Sequence, residues 1–127
     1  SIASYLAYEA KATKIVCITR SGFSARLISR FRPRAPIIVA TDSHQVMLQL
    51  KLVWGVIPIV IKPLPVKSIT GNLAHELYVQ GFILENDRAV FVGGVGTLLP
   101  QVSNLVEIHD IKDLLQYNGC VQNLLRN

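Results

Sequence analysis

Apolar and polar positions follow two rhythms along this chain, and the switches between them mark its elements. Residues 2–12 (IASYLAYEAKA) are rich in alanine and leucine and predict a helix, whereas Lys14 to Thr19 (KIVCIT) is a short β-branched run suited to a strand covered on both faces. Over residues 22–32 (GFSARLISRFR) the spacing is helical again. Leu27, Ile28 and Phe31 share one side there, and Arg26, Ser29 and Arg30 turn away. Pro33 cannot continue that helix, so it ends near Arg32. Pro36 to Thr41 (PIIVAT) predicts a second buried strand, after which Asp42 or Ser43 caps a helix carrying Val46, Met47, Leu50 and Val53. Gly55 closes that helix, and Val56 to Ile61 is a third strand. Pro63 and Pro65 mark a loop, and Ser68 or Thr70 opens a helix through Leu73, Leu77 and Tyr78 that stops at Gly81. Arg88 to Val92 is a fourth strand, Gly93-Gly94-Val95-Gly96 a loop, and Leu105 to Ile108 a fifth strand. Asp110 or Asp113 then caps a short helix with Ile111, Leu114 and Leu115 inward, broken at Asn118-Gly119.

Strands alternating with helices at these lengths build βαβ units, and therefore a mostly parallel sheet with right-handed crossovers. The fifth strand is the exception. About ten residues separate it from the fourth, fewer than a parallel crossover needs, so it is expected to run antiparallel at an edge. No internal repeat or second-domain boundary interrupts the chain.

Composition narrows the functional classes. A chain of 127 residues, half of them apolar, is long enough to bury a core as one domain. The longest apolar run, Val53 to Ile61, contains Pro58 and is about half the length of a membrane span. Glu9 and Lys11 interrupt the amino-terminal segment, which does not read as a signal peptide. A soluble, cytoplasmic protein with no membrane partner is expected. The two cysteines make no disulfide framework, and Cys17 lies in an apolar run as a small buried hydrophobe. His44, His75 and His109 are isolated, so no metal site is expected. The net charge of +5 is uneven: Lys11, Lys14, Arg20, Arg26, Arg30, Arg32 and Arg34 crowd the first quarter, opposed there by Glu9 alone. Such a cluster calls for an anionic partner or an open solvated face. Nucleic acid is disfavoured, because no aromatic side chains alternate with the basic ones and no recognition-helix motif is present.

The stretch Thr19-Arg20-Ser21-Gly22-Phe23-Ser24-Ala25 carries the chemistry. It joins the end of the first strand to the start of a helix, where α/β sheets bind ligands and where unpaired N–H groups and a positive dipole end lie. Thr19, Ser21 and Ser24 contribute hydroxyls, Arg20 charge, and Gly22 close backbone approach. Together they make a phosphate cradle. Helix capping alone, with Ser21 as the cap, is the plainer alternative. Gly93-Gly94-Val95-Gly96 precedes a strand instead of opening a helix and is no dinucleotide loop. Trp54 reads as packing, His75 as a solvated side chain, and Arg30, Arg32 and Arg34 as solvated ends or as partners in inter-subunit or inter-domain ion pairs.

Residues 19–41 (TRSGFSARLISRFRPRAPIIVAT) resemble the signature of the pyruvate kinase carboxy-terminal domain: T-x-S-G-x-[ST]-A, a helix ending in R-[FY]-R-P, then A-P-I-I and a threonine. The similarity continues through Gln49-Leu50, Leu52, Trp54-Gly55-Val56 and Pro58, and more weakly at Gly81, Asp87, Gly93-Gly94 and Asn104. It implies a three-layer α/β/α domain over residues 1–110 with a five-stranded sheet in the order 3-2-1-4-5, the last strand antiparallel at the edge. Residues 111–127 then form a carboxy-terminal extension, a short helix plus tail. In that family the domain binds allosteric effectors, sugar bisphosphates in many eukaryotic enzymes and nucleoside or sugar monophosphates in many bacterial ones. The resemblance places an effector phosphate at Thr19, Arg20, Ser21, Gly22, Phe23 and Ser24, with a possible second effector loop at Gly94, Val95, Gly96 and Thr97. It also implies a subunit interface, hence a homo-oligomer, and no catalytic residue. Catalysis, magnesium and potassium belong to the family's barrel domain, a partner if present, so no cofactor is expected in this domain.

Three departures bear on the effector. Phe23 stands where bisphosphate-regulated enzymes often carry a basic residue. Lys62 to Thr70 lacks the Trp and Arg those enzymes use for a second phosphate, leaving Lys62 and Lys67. Gly94 to Asn104 carries no positive charge. A monophosphate effector, either a sugar phosphate or a nucleoside monophosphate, is therefore expected over a bisphosphate, unless the site has decayed. A stand-alone sensor or oligomerisation module without kinase activity is the competing reading. An independent enzyme is weaker, since no nucleophile–base pair converges on residues 19–24.

Overall fold

The computed structural model describes residues 2–62, 69–93 and 105–116. Its elements are α1 (Ile2–Glu9), β1 (Lys14–Ile18), α2 (Phe23–Arg30), β2 (Ile37–Thr41), α3 (His44–Leu50), β3 (Val56–Val60), α4 (Ile69–Val79), β4 (Arg88–Gly93) and β5 (Leu105–Asp110). Residues 111–116 form one further helical stretch. The five strands make a single sheet in the order β3-β2-β1-β4-β5. β1 to β4 are parallel, and β5 runs antiparallel to β4 with Val90 opposite Ile108. Among the described residues no helix is long and apolar enough to cross a membrane, and no group of His, Cys, Asp and Glu is placed to hold a metal ion.

Handedness decides which helix covers which face. The chain steps outward from β1 to β2 to β3 through α2 and α3, and right-handed crossovers put both on one face. It then returns past β1 to β4, and the same rule sends α4 to the opposite face. Alternate strand residues record the division. Ile15, Cys17, Ile37, Val39 and Val90 pack with Ala3, Ala7, Ala25, Ile28 and Leu50 of α1, α2 and α3. Val16, Ile18, Ile38, Ala40, Ala89 and Phe91 pack with Leu73, Ala74 and Leu77 of α4 and with Ile111. Pro58, which has no N–H to donate, lies in edge strand β3, where a missing ladder bond is tolerated.

The buried face of α2 differs from the one its apolar pattern predicts. Ala25, Ile28 and Ser29 point inward, whereas Leu27 and Phe31 are exposed. Ser29 is tolerated there because its hydroxyl donates to the Trp54 carbonyl at 2.6 Å, satisfying both groups. Trp54 itself is half exposed, under the Arg32 guanidinium at 5.2 Å.

Three helices end on a left-handed residue. α4 uses Gly81 (φ 84), with Gly81 N–H bonded to Tyr78 O and Phe82 N–H to Leu77 O. α1 ends the same way on Lys11 (φ 55), and α2 on Arg32 (φ 45), where Pro33 cannot donate the second bond. A side chain in that conformation costs about 1–2 kcal/mol.

At the amino-terminal end of the sheet, buried Asp87 ties its own turn to the start of β1. Its carboxylate accepts from Thr13 Oγ1 at 2.6 Å, Leu84 N at 2.8 Å and Lys14 Nζ at 3.0 Å. Burial pushes this carboxyl upward, but the bonds from Thr13, Leu84 and Lys14 together outweigh it and hold the group below its ordinary range.

Candidate functional site

The carboxyl end of β1 lies where the strand order reverses, with β2 on one side and β4 on the other. Crevices of open α/β sheets form at such points. The chain leaves β1 through a turn that its own side chains organise. Thr19 is buried; its N–H still pairs with Ala40 O at 3.0 Å, and its Oγ1 accepts from Gly22 N at 3.0 Å. Gly22, at φ 81 and ψ 0, is the N-cap of α2 and has no side chain to offer. A Cβ there would meet Arg26 Nη1 at 3.1 Å, Leu50 Cδ2 at 3.2 Å and Val46 Cγ1 at 3.3 Å, so glycine is needed for both space and conformation.

Ser21 is exposed, and its Oγ accepts from Phe23 N at 3.2 Å. The first intrahelical bond runs from Arg26 N to Gly22 O. The N–H groups of Ser24 and Ala25 therefore have no partner within the helix, and both point beyond its amino terminus. Ser24 adds a half-buried hydroxyl beside them. The Phe23 side chain is 64% exposed, turned toward solvent.

Two guanidinium groups flank the turn. Arg20 pairs with Asp42 at 3.5 Å, linking the start of α2 to that of α3. Ser43 caps α3 by accepting from Val46 N at 3.2 Å. Arg26 Nη1 donates to Ser21 O at 3.1 Å and its Nη2 to Gln49 Oε1 at 3.4 Å, folding the side chain back over the turn. Helical periodicity alone turns Arg26 away from the core. Helical side chains slant toward the amino terminus, so the residue four after the cap reaches back to it, and that spacing was the signal available.

Among the described residues the arrangement thus gathers two N–H groups with no acceptor in the helix, the hydroxyls of Ser21 and Ser24, the positive end of α2 and two arginines. That set suits an oxyanion. Among the described residues none of the turn's hydroxyls is hydrogen-bonded to a histidine or a carboxylate. Gly94, Val95, Gly96 and Thr97, read as a second effector loop, lie outside the described residues, as does Lys67. Lys62 is exposed beyond the end of β3.

Comparison with known proteins identifies the family of the fold. Residues 1–109 match the family model described as "Pyruvate kinase, alpha/beta domain". The chain is 34% identical over 119 residues to a pyruvate kinase of Sporosarcina psychrophila, covering 89% of this chain and 20% of that protein. It is 32% identical over 116 residues to pyruvate kinase 2 of Synechocystis, covering 91% of this chain and 20% of the relative. Among solved structures, a pyruvate kinase from Cryptosporidium parvum superposes with a TM-score of 0.70 at 30% identity, over 87% of this chain and 21% of that one. The chain spans about one fifth of the length of the curated relatives it matches.

Proposed function

The chain belongs to the pyruvate kinase α/β-domain family, and we propose that it is a regulatory module that binds a phosphorylated small molecule at the β1–α2 turn. One observation supports the reading: a left-handed Gly22 with no room for a side chain opens α2, so that the N–H groups of Ser24 and Ala25, which have no acceptor within the helix, lie in its first turn near Ser21, Arg20 and Arg26. The effector is a monophosphate, a sugar phosphate or nucleoside monophosphate, because the segments that would hold a second phosphate lack arginine. The module transfers no phosphoryl group by itself. In the longer proteins it resembles, it would report the level of a phosphorylated metabolite to the part that acts on phosphoenolpyruvate and ADP.

A second role, in subunit contact, rests on β5. It is an edge strand whose Val106 and Ile108 are 46% and 41% exposed, on the face away from α4. An exposed apolar edge of this kind favours pairing with another copy. Sedimentation velocity tests it: a concentration-dependent dimer is expected, abolished in Ile108→Lys, and a strict monomer at high concentration would refute it.

A thermal-shift panel of phosphorylated metabolites tests the effector reading. A ligand at 100 times its dissociation constant stabilises by about 2.7 kcal/mol, which raises the melting temperature by roughly 10 °C in a domain of this size. The shift is expected to vanish in Ser21→Asp and to shrink in Arg20→Ala. A panel that leaves the melting temperature unmoved refutes the proposal.

A further inference from the structure

At the opposite, amino-terminal edge of the sheet, the ends of α1 and α2 enclose a groove of about 380 Å³ that the effector reading does not use. Its walls include Tyr8, Lys11, Phe31, Arg32, Pro33 and Arg34, and its lining contains three cations and no carboxylate. Tyr8 and Phe31 are 75% and 57% exposed. Arg32 is held in place on the Trp54 ring. Among the described residues neither Lys11 nor Arg34 has a carboxylate partner.

Both left-handed non-glycine residues of the described chain, Lys11 and Arg32, border this one groove. The third helix that ends this way places Gly81 there and carries no strain. Positive charge at a helix carboxyl terminus favours the dipole, which accounts for the cations at Lys11 and Arg32. It does not account for the left-handed side chains, since a cation one turn earlier would serve equally and a glycine would fit better. Nor does it account for Arg34, which lies past the helix. Strain retained at side chains around a cavity points to a ligand that needs those side chains.

We propose that the groove binds a small organic anion with a flat ring, an aryl phosphate or aromatic carboxylate, its charge held by Lys11, Arg32 and Arg34 and its ring lying against Tyr8, Phe31 and Pro33. Exposed aromatic rings beside guanidinium groups suit a planar, delocalised anion better than a hydrated sugar. The site is independent of the β1–α2 turn.

Phenyl phosphate is the probe, followed through the backbone amide resonances of the full chain, with inorganic phosphate as control. Phenyl phosphate is expected to move the amides of Tyr8, Lys11, Phe31, Arg32 and Arg34 saturably, while inorganic phosphate at the same concentration leaves them in place. Shifts at residues 22–25 report the other site separately. Lys11→Gly is expected to weaken phenyl phosphate about tenfold while raising the melting temperature by roughly 3–8 °C, because glycine relieves the left-handed strain. Arg34→Gln is expected to weaken it with the melting temperature unchanged. The proposal is overturned if those amides do not move, if either variant binds as tightly as the parent, or if inorganic phosphate binds there equally well.

Discussion

Replacing Gly22 by alanine tests the geometry of the β1–α2 turn with a single methyl group. The backbone there has φ 81, which costs an L-residue about 1–2 kcal/mol wherever it occurs. At Gly22 the methyl also meets three neighbours at 3.1–3.3 Å. Arg26 swings aside at little cost, apart from its bond to Ser21 O. Leu50 is fully buried and cannot, and crowding of that kind adds about 1 kcal/mol or more. Gly22→Ala should therefore cost about 2–4 kcal/mol. Gly81→Ala is the matched control: φ is 84, nothing lies within 4 Å of the added methyl, and strain alone of about 1–2 kcal/mol is expected. Urea denaturation followed by circular dichroism reads the difference. With m of about 1–3 kcal/mol/M, Gly22→Ala should unfold at a midpoint lower than Gly81→Ala by roughly 0.5–1 M, with m unchanged. Equal midpoints for the two variants would refute the close packing of Gly22 on α3, and with it the placement of the α2 amino terminus.

Three further outcomes follow from the packing. Asp87→Asn should destabilise by about 2–4 kcal/mol, since it strands Lys14 and weakens the bonds from Thr13 and Leu84. Because the folded carboxyl titrates below its unfolded value, its contribution is complete above about pH 4 and is lost as pH falls through the folded value. Acid melts should accordingly show a parent chain that weakens below that pH and an Asp87→Asn variant whose deficit shrinks there. Burial pushes the Cys17 thiol up to about 12, so in a Cys120→Ser background a thiol reagent should react only upon unfolding, and rapid native labelling would contradict the buried strand. Ser29→Ala leaves the Trp54 carbonyl without its donor and should lower stability by about 1–2 kcal/mol in chemical denaturation, whereas an exposed Ser29 would make the change neutral.

Much of the fold could be read from the chain because its signals are local. The runs KIVCIT, PIIVAT and RAVFV are apolar on both faces, as parallel strands covered by two helix layers must be, and the short link before Leu105 forces the antiparallel turn-back. Gly81 marks a helix stop because its left-handed conformation is unstrained only for glycine. The misreading of α2 has a nonlocal cause. Ser29 looks like a surface residue until the Trp54 carbonyl, from a distant turn, supplies its acceptor, and the displaced Phe31 then lines a groove that no periodicity encodes. Lys11 and Arg32 were equally silent, since nothing in their type announces a left-handed backbone. At the candidate site the side-chain hydrogen bonds of the turn could not be read from the chain. Thr19, expected as a ligand hydroxyl, is buried and accepts from Gly22 N, while Arg26 joins the turn through the slant of helical side chains.

Oxyanion binding at the turn after β1 is tested most directly by an anomalous-scattering map from crystals of the chain soaked in tungstate. A peak is expected within hydrogen-bond distance of the Ser24 and Ala25 N–H groups, beside the Ser21 hydroxyl. A well-ordered turn with no peak there, or with the Phe23 ring lying across the helix amino terminus, would contradict it.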